Sequence, residues 1–191
     1  MYEPMITCPV ADITKQHGID VIVNAAKETL AGGGGVDGAI HAAAGEGLLR
    51  ECLKLGGCMT GGAKLTSAYD LPNRFVIHTV GPVYDDHPPR VSEELLEMCY
   101  VNCLKMAEGM GVRSIAFPAI STGIYGFPLK KATEIAVGVA LAHRGKLEEI
   151  SFVCFDQDTQ GIYLDAIRSH LEATMDYVQR RLYPNLFEGQ S

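Results

Sequence analysis

Two stretches of this sequence hold residues whose types and spacing suit the binding of an anion. In the first, residues 24–45 (NAAKETLAGGGGVDGAIHAAAG), four consecutive glycines at 32–35 are followed by Asp37 and then by a run of helical character. Ordering four glycines costs conformational entropy, which makes sense where backbone must come close to a ligand or adopt positive φ. Such a loop leading directly into a helix offers free amides and the positive end of the helix dipole to an anion. A flexible loop, or a turn needed only for packing, would read the same from glycines alone. In the second stretch, residues 117–128 (FPAISTGIYGFP), Gly123 and Gly126 again fall between an apolar run and a helical one. Ligands bind at the C-terminal ends of strands in α/β sheets, so two such loops are suited to clamp a diphosphate from opposite sides. No GK[ST] follows the glycines and no GxGxxG opens a helix, which disfavours a nucleoside-triphosphate loop and a dinucleotide fingerprint.

Asp37 is the first candidate for chemistry. A carboxylate close to a phosphate site is costly because like charges repel across a partly dehydrated gap, so its presence there suggests work as a base. Its position equally fits a cap on a helix beginning near Gly38. His41 and His78 read as satisfied structural histidines, and His17, His87, His143 and His170 have no partner pattern. Cys8, Cys52, Cys58, Cys99, Cys103 and Cys154 form no CxxC pair and have no histidine at zinc-finger spacing, so they read as structural thiols. Neither a metal nor a cofactor is expected.

The elements that must position these residues follow from hydrophobic period. Short apolar runs at 5–8, 21–24, 64–69, 75–80, 114–119 and 150–155 read as strands, alternating with helical stretches at about 38–55, 92–109, 129–142 and 159–177. Ser92, with Glu94 to Glu97 beyond it, reads as the capping start of the second helix. Val21-Ile22-Val23 and Ile115-Ala116-Phe117 are apolar on both faces, as in strands covered by helices on both sides. The expected fold is a three-layer α/β/α sandwich around a central mixed sheet, and 191 residues suit one domain. That domain is expected over 1–181 with a tail at 182–191; the stretch 85–90 reads as linker-like. A net charge of -7 disfavours nucleic acid as a partner. The absence of a signal segment or an apolar run long enough for a bilayer leads to the expectation of a cytoplasmic protein without membrane contact, acting as a monomer.

The two glycine loops, together with Val10-Ala11-Asp12-Ile13-Thr14, His78-Thr79-Val80-Gly81-Pro82 and Phe152-Val153-Cys154-Phe155-Asp156, resemble the macro domain family in that family's order, from about residue 5 to 167. The runs GGGGVDGAIH and PAISTGIYG look like the branch that hydrolyses ADP-ribosyl esters. The resemblance implies that ADP-ribosylated proteins or O-acetyl-ADP-ribose are the partners, and ADP-ribose 1''-phosphate would fit the same cleft. It implies that Asp12 accepts from the adenine amino group while the Ile13 amide reaches a ring nitrogen, and that Phe155 packs against the adenosine. The amides of Gly123, Ile124, Tyr125 and Gly126, with Ser121 nearby, would hold the diphosphate, Gly35 and Val36 would close over it, and Phe127 would support the distal ribose. Asn24 would join the substrate-binding set, and Asp37 would orient and deprotonate the attacking water. Without the resemblance, Asp12 reads as a turn cap before Thr14, Phe155 as core, and Phe127 as packing or binding equally.

Lys27 departs from the branch, which carries there a second asparagine able both to donate to and to accept from the ribose hydroxyls. Lysine can only donate. Its ammonium could pair with the diphosphate or with Asp37, and pairing with Asp37 would blunt that carboxylate as a base. Ala11 replaces a glycine and Ala42 an arginine. The expected function is hydrolysis of ADP-ribosyl esters or deacetylation of O-acetyl-ADP-ribose; the alternative is a reader that binds ADP-ribose with little turnover.

Overall fold

In the computed structural model, which describes residues 5–182, strands β1 (Met5–Thr7), β2 (Val21–Ala25), β3 (Ala63–Ser67), β4 (Phe75–Thr79), β5 (Ser114–Phe117) and β6 (Glu149–Phe152) form one sheet. Their order is β1-β6-β5-β2-β4-β3, parallel throughout except for the antiparallel pair β3 and β4. Because side chains alternate across a strand, β2 serves two cores. Val21 and Val23 pack with residues of α3 (Pro89–Gly109), α4 (Leu129–His143) and α5 (Gln157–Leu182), whereas Ile22 packs with residues of α1 (Gly35–Ala44) and α2 (Glu46–Lys54). The sequence expectation of a three-layer α/β/α sandwich around a mixed sheet is met. Each fully buried side chain of this kind contributes about 1.5–3 kcal/mol of transfer free energy.

Several expected boundaries move for identifiable reasons. The strand expected over 114–119 ends at Phe117, because Pro118 has no amide to continue the ladder. The strand expected over 150–155 stops at Phe152, and only Cys154 beyond it makes a bridge, to Val10. The single helix expected over 38–55 is two: α1 starts at Gly35, and Gly45, with φ of 78°, ends it and begins α2. That left-handed conformation is strained for any residue with a Cβ, and a Cβ there would also meet the Asp70 carboxylate at 2.8 Å.

Ser92 does not cap α3. The helix begins at Pro89, whose missing amide costs nothing at a first position, and the Ser92 hydroxyl donates to the Tyr84 carbonyl at 3.0 Å. The stretch 85–90 is therefore no linker: it holds the end of a 3-10 turn (Tyr84–Asp86) and the first residues of α3. Helix α5 outruns the expected 159–177 at both ends, and the expected boundary at 181/182 falls in its last turn. The rest of the expected tail, residues 183–191, lies outside the described residues. No described helix is long and apolar enough to cross a membrane. All six cysteines are buried and unpaired.

Candidate functional site

Four adjacent parallel strands, β1, β6, β5 and β2, deliver their C-terminal ends to one edge of the sheet, the edge at which α/β sheets bind ligands. At the β1 end, the Ala11 amide donates to the Cys154 carbonyl at 3.2 Å and the Cys154 amide to that of Pro9 at 2.8 Å, so the chains leading to Asp12 and Phe155 run side by side. Asp12 caps a 3-10 turn (Ile13–Lys15): its Oδ1 accepts from the Thr14 hydroxyl at 2.7 Å and from the Thr14 amide at 2.9 Å. Those two bonds, the hydroxyl's first, hold its carboxyl below the usual range. Oδ2 remains, with only Lys15 Nζ at 3.8 Å. The Ile13 amide, first in the turn, is of the kind a helix start leaves unpartnered. Phe155 is 94% exposed, which removes its reading as core.

The β5 loop is held from within. The Gly126 amide donates to Gly123 O and the Phe127 amide to Ser121 O, both at 3.0 Å, and the Tyr84 amide donates to Tyr125 O at 2.8 Å. Ile124 stands exposed at the tip. Phe127 is buried, edge-on to Tyr84 at 4.8 Å, so its ring props the loop from beneath. The buried Ser121 hydroxyl has no partner. Burial, then the carboxylates of Glu28 and Asp37, push the Tyr125 phenol up.

In that first loop Gly34 is the cap residue of α1 and carries no capping side chain, so the opening amides around Gly35 and Val36 are free for an acceptor. Asp37 is not the cap. It lies in the first turn, 3% exposed, and its Oδ1 accepts from Asn24 Nδ2 at 2.7 Å, with His41 Nε2 a longer 3.5 Å away. Asn24 Nδ2 also lies 3.1 Å from His78 Nδ1; Asn24 and His78 are register partners on β2 and β4. His78 Nε2 in turn lies 2.9 Å from Thr66 Oγ1 and 3.6 Å from Cys52 Sγ. Burial, then His41, pushes the His78 imidazole down to about 4, so it is neutral near pH 7. Within this hydrogen-bonded relay two buried oxygens have no partner: Asp37 Oδ2 and Asn24 Oδ1. Lys27 and Asp37 flank one glycine, since a Cβ on Gly33 would lie 3.2 Å from Nζ and 3.1 Å from Oδ2.

Among the described residues, one cluster has metal-ligand chemistry. Donor atoms of His41, Cys52 and His78 lie within 4.8 Å of one another. Burial first, then the Asp37 and Glu51 carboxylates, push the Cys52 thiol up to about 11, and both nitrogens of His78 already have hydrogen-bond partners. A metal would have to displace both arrangements, so the cluster reads as a hydrogen-bonded core.

Sequence reasoning found Asp37, Asn24 and the two loops but passed over His78, whose only signal is its place opposite Asn24 in a strand pairing. The arrangement is a row of free amides flanked by an exposed aromatic ring at one end and a buried carboxylate with an open oxygen at the other. It can hold a long anionic ligand and direct a water at one end of it.

A family model described as "Macro domain" matches residues 23–136. The chain is 52% identical over 159 residues to an O-acetyl-ADP-ribose deacetylase of Escherichia fergusonii, covering 80% of this chain and 89% of that protein. It is also similar to the Oceanobacillus iheyensis macrodomain solved with ADP, with a TM-score of 0.82, 40% identity, and 87% and 91% of the two chains covered. For the Trypanosoma brucei macrodomain in complex with ADP-ribose the TM-score is 0.77 at 43% identity, with 85% and 68% covered.

Proposed function

The chain belongs to the macro domain family, and from that premise we propose that it binds ADP-ribose along the C-terminal edge of its sheet and hydrolyses ADP-ribosyl esters, on acidic side chains or as O-acetyl-ADP-ribose. The observation that carries this reading is the buried Asp37 carboxylate, held at Oδ1 by Asn24 and open at Oδ2, beside the free first-turn amides of α1. Asp12 Oδ2 and the Ile13 amide read the adenine edge, and Phe155 stacks on the adenosine. The amides of Gly123, Ile124 and Tyr125, with Ser121, hold the diphosphate from one side, and those of Gly35 and Val36 from the other; the Gly126 amide, expected from the sequence to join them, is instead spent on Gly123 O and shapes the loop. Asn24 and Lys27 reach the distal ribose, beneath which Phe127 keeps the loop in place.

At the ester, Asp37 Oδ2 takes a proton from water as the water oxygen bonds to the acyl carbon. The bond from that carbon to the ribose oxygen then breaks, and the proton passes to the departing oxygen. The products are ADP-ribose and acetate, or ADP-ribose and the free side-chain carboxylate. Lys27 favours one second reading, a reader with little turnover, because its ammonium cannot accept from a ribose hydroxyl.

Calorimetric titration with ADP-ribose beside a turnover assay on O-acetyl-ADP-ribose and on a protein modified at Glu or Asp separates the two. The expected result is that Asp37→Ala retains most of the affinity and loses turnover by about 10²-fold or more. Binding without turnover in the unsubstituted protein, with turnover appearing in Lys27→Asn, selects the reader. No binding of ADP-ribose overturns both.

A further inference from the structure

The Asn24 amide has two protons to give, and both are used inside the protein: one goes to Asp37 Oδ1 at 2.7 Å and the other points to His78 Nδ1 at 3.1 Å. Nδ1 can receive it only as a lone pair, so the ring's own proton sits on Nε2, where Thr66 Oγ1 accepts it at 2.9 Å. Turning the amide over would set its carbonyl oxygen 2.7 Å from a carboxylate oxygen, two acceptors face to face. The carboxylate therefore fixes the amide, and the imidazole lone pair holds it in the same sense. His78, Asn24 and Asp37 are all buried, so losing any one partner leaves another buried polar group unsatisfied. The outcome is that Asp37 Oδ2 and Asn24 Oδ1, the two oxygens without partners, are the ones left for a ligand.

We propose that His78 is a positioning residue for the hydrolysis: through Asn24 it fixes Asp37 by one oxygen and leaves the other, with Asn24 Oδ1, as the acceptors that hold the water and the ribose. This rests on the hydrolase reading above. An imidazole protonated on Nδ1, whether cationic or in the other tautomer, would repel the Asn24 amide protons and turn the carbonyl inward, away from the ribose. Burial excludes the cation near neutral pH, and the Asn24 amide proton at Nδ1 selects the tautomer, whose Nε2 proton the Thr66 hydroxyl accepts. A metal ion on His41, Cys52 and His78 would need the Nε2 lone pair and so the opposite tautomer.

Long-range ¹H–¹⁵N spectra read the tautomer directly. The expected result is a neutral ring with its proton on Nε2 from about pH 5 to about pH 8; an Nδ1 proton in that range overturns the proposal. His78→Phe, which keeps a ring of similar size but no lone pair, is expected to lower kcat on O-acetyl-ADP-ribose by about tenfold or more while KM and the ADP-ribose Kd rise by clearly less, because only the ribose contact of Asn24 is lost from binding. His78→Gln, whose amide oxygen can accept from Asn24, is expected to recover most of that loss. Unchanged kcat in folded His78→Phe, or equal losses in kcat and affinity, overturns the proposal. Should His78→Phe not fold, Thr66→Val, which strips the Nε2 proton of its acceptor and so weakens the preference for that tautomer, is expected to lower kcat selectively; an unchanged kcat there is equally fatal. If the unsubstituted protein shows no turnover, the hydrolase reading fails separately, and the spectra together with the Asn24 amide orientation in a crystal structure of His78→Gln decide the positioning.

Discussion

At the residue scale, the buried His78 ties the site to the stability of the fold. Burial holds its imidazole at about 4 in the native protein against an ordinary 6.5, so between those values the unfolded chain carries a proton that the native one refuses. The stability contributed by the neutral ring is full above about pH 6.5 and falls as the pH drops toward 4, by about 3 kcal/mol in all. Urea unfolding at several pH values should therefore show the unsubstituted protein losing more stability than His78→Gln between pH 7 and pH 4; parallel curves would refute the linkage. This residue was not legible in the sequence as part of the site. Asp37 and Asn24 could be picked out because they flank a glycine run, whereas the importance of His78 depends on β2 and β4 being neighbours in register, and neighbouring parallel strands leave no mark in sequence order. The turn cap at Asp12 was legible from its place before Thr14, and its other oxygen is spare for the adenine contact proposed above.

Among the elements, α1 and the glycine loop before it are fitted to each other with almost no tolerance. A Cβ on Gly38 would lie 2.4 Å from the Gly33 carbonyl oxygen, a backbone atom that can move only with the loop. Gly38→Ala should therefore displace the free amides at the start of α1 and weaken ADP-ribose binding by about tenfold or more, because small misplacements of an anion cradle are expensive. Calorimetry with circular dichroism checks this; retained affinity would mean the loop is soft. Strands and helices were legible from period because their apolar faces meet two cores. What period could not carry was the break at Gly45, where α1 and α2 form one continuous helical pattern in sequence and a neighbouring carboxylate, Asp70, leaves no room for a side chain.

For the whole molecule, the charge of -7 sets how an anion can be held. The proposed cradle relies on amides, with Lys27 and Asp37 flanking the same glycine, Gly33, so few counterions would be released on binding. The Kd for ADP-ribose is expected to change by less than about threefold from about 50 to about 300 mM salt, unlike an arginine-built phosphate site. A steep weakening in salt titrations would show that side-chain charge does the holding. The sheet also ends in an asymmetry: among the described residues β1 is three residues long, lies at the edge and pairs with β6 alone, and the chain from it to the Asp12 turn is tied to the sheet through Cys154. Such an edge opens locally far more often than β2 at the centre, and a ligand that grips only the closed form must slow the opening. Amide exchange over residues 5–13 is expected to slow with ADP-ribose concentration while β2 stays unchanged. Adenine selectivity would then be as durable as the closing of that edge, a clasp that the nucleotide itself snaps shut.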